Sequence, residues 1–231
     1  MYWRTAWAVL TLAVCAGCSG SGGVPGSIAQ RDEALKALKG LDAGIEPPAP
    51  TEDEPVVGIT LSGQKVTDDA MNYVARIPRL KTLRLNDTAV TSAGLAKLKA
   101  EITLEKLNLS DSKKIDDAAL AKIAHLAGIK ELVLTNTAVT NAGMASVAQL
   151  TALHELALSD TAIGDAGLEK LKTLTELTTL LLERTKVTDA GMDSLKSLPS
   201  LRTVYLNGTA VTPVGIDKLK REKPGIRIVE E

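Results

Sequence analysis

The chain has 231 residues, 45% of them hydrophobic, and a formal net charge of -1. That is enough apolar material for a sizeable core in one or two domains, and too little positive charge for a non-specific nucleic-acid binder, which needs a basic excess to displace phosphate counterions. Phenylalanine is absent, both tryptophans, Trp3 and Trp7, lie in the first few positions, and Tyr73 and Tyr205 are the only other aromatics besides Tyr2, so the core must be aliphatic and no aromatic-plus-basic platform for nucleic acid exists.

The first element is a leader. "MYWRTAWAVLTLAVCAGC" sets Arg4 ahead of an apolar stretch from Thr5 to Val14. Such a stretch falls short of the roughly 20 residues of a membrane-spanning helix, so residues 1–17 read as a signal peptide outside the fold. The stretch closes on Ala16-Gly17-Cys18, which resembles the lipobox of bacterial lipoproteins. The resemblance implies that Cys18 is lipidated, becomes the mature N-terminus and anchors the chain to a bacterial envelope membrane. Both cysteines lie here, so no disulfide or thiolate metal site is available downstream. Residues 18–27, ending in "SGSGGVPGS", have the composition of a flexible, lipid-anchored tether.

Residues 28–55 follow as a capping helix and linker. Ser27 is a candidate N-cap, and Ile28, Ala34, Leu35, Leu38 and Leu41 form an apolar stripe. "EPPAPTEDEP" ends the helix. A lone amphipathic helix before a repeat array reads as a cover for the array's exposed end.

From residue 56 to 231 the sequence repeats itself. Aligned on their first apolar residue, seven coils start at Val56, Leu80, Leu104, Ile129, Leu153, Leu177 and Leu201, spaced by 24 residues except for 25 after Leu104, where the extra residue falls in "SKKI". Apolar residues occupy positions 1, 4, 6 and 11 of each coil, as in Leu80, Leu83, Leu85 and Val90. Positions 4 and 6 alternate with polar residues, so each coil opens with a short strand whose leucines share one face and whose other face is wet. Position 12 holds Thr67, Thr91, Asp116, Thr140, Gly164, Thr188 and Thr212, all acceptable N-caps, with Pro213 one place later. A helix is expected to start there in every coil.

This pattern resembles the leucine-rich repeat family, whose signature is LxxLxLxxNxL. The Asn position carries Gln64, Ser112 or Thr in this chain, and with the recurring "VTDAGL" it resembles a bacterial subgroup. The resemblance implies an α/β fold, a right-handed solenoid with a parallel sheet on the concave face and helices on the convex face, closed by a C-terminal cap.

Several ladders run across the coils. The Thr residues at position 9 are expected to satisfy inward-turning backbone groups. Gly94, Gly143, Gly167, Gly191 and Gly215 share one helix position, where close packing of helix on strand is the simplest reason for glycine. Asp87, Asp111, Asn136 and Asp160 at position 8 either close turns or line a rim of oxygen ligands for a cation such as calcium. Lys97, Lys122, Lys170, Lys196, Lys218 and Lys220 form either a solvated helix face or a contact for an anionic surface. No nucleophile motif, catalytic pair or metal cluster emerges, with His125 placed in a helix and His154 beside a strand. The expectation is therefore no enzyme, no cofactor and no metal site.

Function is expected on the concave face, whose side chains have no folding duty. At positions 3, 5 and 7 the candidates for partner contact are Arg84, Asn108, Glu131, Glu155, Leu181 and Tyr205, with Leu181 and Tyr205 as adjacent apolar anchors. Ser159, on the same face, is expected to be a plain surface site. These readings converge on a non-catalytic protein-binding or scaffolding module of the cell envelope. An intracellular adaptor or inhibitor of a partner enzyme is the alternative. A carbohydrate or peptidoglycan binder would want more aromatic platforms.

Overall fold

The structure is a computed structural model that describes residues 28–47, 55–99 and 102–230. Cys18, the expected signal peptide and tether, and the candidate N-cap Ser27 therefore lie outside the described residues. The chain enters through helix α1 (Ile28–Lys39) and strand β1 (Gly44–Glu46). Seven coils follow, each a strand, a turn and a helix: β2 (Gly58–Ser62) and α2 (Ala70–Val74), β3 (Thr82–Asn86) and α3 (Ser92–Leu95), β4 (Lys106–Asn108) and α4 (Asp117–Ile123), β5 (Glu131–Val133) and α5 (Met144–Val147). The array continues through β6 (Glu155–Ala157), α6 (Asp165–Lys170), β7 (Thr179–Leu181), α7 (Asp189–Leu195), β8 (Thr203–Tyr205), α8 (Pro213–Glu222) and β9 (Arg227–Val229).

The nine strands form one sheet in chain order, with β1 antiparallel to β2 and every later pair parallel. Each residue pairs with its equivalent one repeat on, as Leu83 with Leu107 and Leu180 with Val204. The 25-residue coil keeps this register, pairing Lys106 with Glu131, because its extra residue is absorbed in the turn around Lys113 and Lys114. The result is an α/β right-handed solenoid with the sheet on its concave side.

The strand leucines and the helix aliphatics meet in one continuous core, running from Leu35 and Leu38 of α1 to Leu219 of α8. No buried residue in it is aromatic; Tyr73 and Tyr205 are half-buried at its margins. Leu168, Leu171 and Leu174 are all buried at three-residue spacing, because α6 tightens into a 3-10 turn over Leu171–Thr173, the geometry in which residues three apart eclipse. At the entrance α1 packs on α2 with Ala34, Leu35 and Leu38 inward, whereas Ile28 at its first turn is 52% exposed and lies off the expected stripe. Ile45 of β1 is buried as well, so cap and linker together cover that end.

Helix starts follow position 12 only in part. Thr91, Asp116 and Thr188 cap α3, α4 and α7 by accepting the backbone N–H of Ala93, Ala119 and Ala190. Gly164 and Thr212 stand at the start of α6 and α8 without a side-chain cap bond. Helices α2 and α5 begin three or four residues later, at Ala70 and Met144, after a turn in which Ala70 N–H donates to Thr67 O and Gly143 N–H to Thr140 O. His125 is likewise in the turn after α4, not within a helix, with Nε2 2.9 Å from Leu98 O.

The ladders resolve into three kinds of tie. The position-9 hydroxyls of Thr137, Thr161, Thr185 and Thr209 each donate to the carbonyl three residues earlier, at 2.5–2.7 Å. Position 8 has positive φ in all seven coils, at Gly63, Asp87, Asp111, Asn136, Asp160, Arg184 and Gly208, a region that Gly, Asn and Asp enter most readily. That accounts for the Asp ladder as turn chemistry. Arg184, the misfit, is held by a two-pronged ion pair to Asp160 at 2.6 and 2.5 Å.

The third tie corrects the reading of the glycines. The carboxylate at position 13 of one coil reaches position 12 of the next: Asp165 accepts the Thr188 N–H at 2.9 Å and its hydroxyl at 2.7 Å, and Asp68, Asp117 and Asp189 do the same for Thr91, Thr140 and Thr212. A Cβ on Gly191 would meet that Asp165 Oδ1 at 2.4 Å, and Gly94, Gly143, Gly167 and Gly215 stand in the same relation to Asp68, Asp117, Asn141 and Asp189. Glycine is there to admit the neighbouring coil's carboxylate or amide. Where Gly164 offers an N–H but no hydroxyl, Asn141 replaces Asp. At the joint where Ser92 stands at position 13, the next coil has Ala119 in place of glycine, and Asp116 caps its own helix.

Candidate functional site

The concave face is built by positions 3, 5 and 7 of the strands. Its first half is polar and internally paired. Arg84 on β3 is half-buried with Nη1 3.5 Å from Glu46 Oε1, and Asn108 beside it accepts the Ser110 N–H at 2.9 Å and the Asn86 amide at 3.2 Å. Lys106 Nζ lies 2.5 Å from Glu131 Oε1. Glu155 pairs with Glu131 across β5 and β6, and makes no ion pair with a described residue. Two carboxylates thus stand side by side, with the one lysine on the far side of Glu131 from Glu155.

The second half is apolar along its middle. Leu181 and Tyr205 are register partners on β7 and β8, both half-exposed. The row does not stop with them: Val133, Ala157, Leu181, Tyr205 and Val229 are successive partners at position 5 from β5 to β9. Of the expected contacts, the structure therefore brings together Leu181 with Tyr205, Glu131 with Glu155, and Arg84 with Asn108. Arg84 and Tyr205 remain five strands apart, roughly 24 Å at about 4.8 Å per strand.

Val133, Ala157 and Val229 were not singled out from sequence. The first two stand at position 5 and were legible; Val229 lies one repeat beyond Tyr205, on a strand whose "GIRIV" keeps only part of the leucine pattern. Ser159 is a correction. It is buried rather than a plain surface site, because Glu183, in the turn just after β7 of the next coil, folds over it and accepts its hydroxyl. Ala157 is buried at 3% exposure, a small residue between Val133 and Leu181. The concave face is thus less uniformly wet than alternation implies.

The convex side is largely self-engaged. Lys97 and Lys170 donate to the carbonyls of Asp68 and Asn141 in the preceding coil, and Lys218 pairs with Asp193 at 2.6 Å. That pair holds the Asp193 carboxyl below its ordinary range and raises the Lys218 ammonium. A groove of about 1200 Å³ lies beside α2, where the Arg76 guanidinium sits 5.8 Å from the Tyr73 ring centre. Among the described residues no group of three or more His, Asp or Glu side chains could hold a metal ion, and no helix is long and apolar enough to cross a membrane.

A family model described as leucine rich repeat matches residues 102–124 and 149–172. Each stretch spans one coil, β4 with α4 and β6 with α6, in the phase given by the strands. A crystal structure of internalin C2 from Listeria monocytogenes is similar with a TM-score of 0.61 at 20% identity, over 87% of this chain and 92% of that chain. The likeness is one of fold. A comparison with curated protein sequences finds no match.

Proposed function

We propose that this leucine-rich-repeat solenoid is a non-catalytic protein-binding module that engages its partner through the concave sheet, centred on Leu181 and Tyr205, and is presented at the bacterial cell envelope on a lipid carried by Cys18. The observation that carries the binding role is the row from Val133 to Val229, four of its five side chains half-exposed on a face otherwise given to polar residues. Neither Leu181 nor Tyr205 is among the buried core residues, and tyrosine is favoured where binding energy concentrates. The helices, by contrast, spend many of their lysines on ties to neighbouring coils. Arg84, Asn108, Glu131 and Glu155 extend the surface for a large partner.

The test is capture of a partner from envelope membranes with wild-type protein and with the double variant Leu181→Ala/Tyr205→Ala. Loss of about 2 kcal/mol or more of affinity with an unchanged circular dichroism spectrum supports the reading. Full affinity in the double variant, together with loss on charge reversal of Lys97, Lys122 and Lys170, would move the function to the helices.

A further inference from the structure

We infer that the concave row seats an amphipathic helix of the partner, lying along the solenoid axis and carrying lysine or arginine on the flank that faces Glu131 and Glu155. This rests on the concave-face reading and adds the partner's chemistry to it. Spacing selects the helix. Successive side chains of the row belong to successive strands, about 4.8 Å apart. A helix presents one apolar side chain per turn of 5.4 Å, whereas an extended peptide presents same-face side chains only every 6.6 Å or so. Five row positions span four intervals, about 19 Å, the length of about 13 helical residues. Apolar residues at i, i+3 or i+4, i+7 and i+11 would then meet successive strands. Ala157 makes a dip between Val133 and Leu181 into which one large partner side chain can fit.

Charge selects the flank. Among the described residues from β5 to β9 the face carries the carboxylates of Glu131, Glu155 and Glu183 against the single guanidinium of Arg227 at the far end. Glu131 already holds Lys106, but Glu155 stands beside it without an ion pair to any described residue. Like charges on neighbouring strands oppose each other, and a partner cation between them relieves that opposition. Glu131 and Glu155 are offset two residues along the strand from the row, about 6.6 Å, which places the cation on the helix flank rather than on its apolar ridge.

Three synthetic peptides test this by fluorescence anisotropy with the full chain: a helical peptide with the leucine stripe and lysine flanks, the same stripe with glutamate flanks, and a scrambled lysine peptide without a stripe. The lysine-flanked helix should bind at least tenfold more tightly than either of the others. Glu155→Lys should remove that preference, while Asp217→Lys on α8, an equal change of net charge, should leave it. Equal binding of the scrambled peptide, preference for glutamate flanks, or no binding of any peptide overturns the inference. If the captured partner nonetheless depends on Leu181 and Tyr205, the concave-face reading stands without it. If the lysine helix binds as expected but the captured partner ignores those residues, the reading of function fails while the chemistry of the surface holds.

Discussion

Asp165 occupies the space that a side chain on Gly191 would take: the carboxylate that holds Thr188 lies 2.4 Å from where a Cβ would be. Gly191→Ala should therefore push this carboxylate off its two partners and cost about 1–3 kcal/mol. The chain contains its own remedy in Ser92 and Ala119. Asp165→Ser combined with Gly191→Ala should lose less than the sum of the single changes, a coupling readable by a double-mutant cycle in urea. Strict additivity would mean that the carboxylate and the glycine are not in contact.

Acid should loosen the equivalent ties at Asp68 and Asp189. Burial works against the charged form of Asp68, but the N–H and hydroxyl of Thr91 outweigh it and hold the carboxyl below its ordinary value; the Thr212 N–H and hydroxyl do the same for Asp189. A lowered folded-state value contributes stability that is present above the unfolded value, about 3.9 for aspartate, and is lost as pH falls through the folded one. Melting temperature should hold near neutrality and drop below about pH 4. Asp68→Asn should flatten that drop, and an unchanged pH profile in the variant would remove these carboxylates from the account.

Ser159 offers a third measurement. Ser159→Asp would set a carboxylate in a buried position against Glu183 and should destabilise by about 1–3 kcal/mol. Glu183→Gln should recover part of the loss. Arg202→Ala, on the exposed turn before β8, should stay within about 0.5 kcal/mol. Leu134→Asp, in the middle of the core, should cost several kcal/mol and unfold much of the array.

The leader carries the last prediction. Cys18→Ala should release the protein from the membrane fraction of fractionated cells and leave its leader uncleaved. A wild-type protein already soluble at full-length mass would remove the lipid anchor from the proposal.

Much of this molecule is legible because its information is local. Leu83 and Leu85 declare a strand face within three residues, and the 24-residue interval to Leu107 and Leu109 declares the stacking. What escaped notice depends on neighbours one coil away. The reason for Gly191 lies 26 residues earlier, at Asp165, and burial of Ser159 comes from Glu183 in the next coil. Alternation along a strand says which face a side chain takes, but not whether the adjacent strand's side chain covers it. The pairing of Asp or Asn at position 13 with glycine at position 15 of the following coil was written in the sequence throughout, and only a contact showed what it meant. The row's end at Val229 was missed because β9 lacks the leucines that mark the other strands.

An all-aliphatic core leaves the part of the chain after residue 17 almost dark to ultraviolet light. From Cys18 onward the chain has no tryptophan, and its two tyrosines are Tyr73 beside the convex groove and Tyr205 in the concave row. Tyr205 is thus a native optical probe placed in the candidate contact surface. Tyr73→Leu would leave it as the chain's single emitter, so that a change in its yield or polarisation reports events at the concave sheet without any attached dye. A tryptophan signal from a complex of the chain beginning at Cys18, excited where tyrosine does not absorb, would belong entirely to whatever has bound.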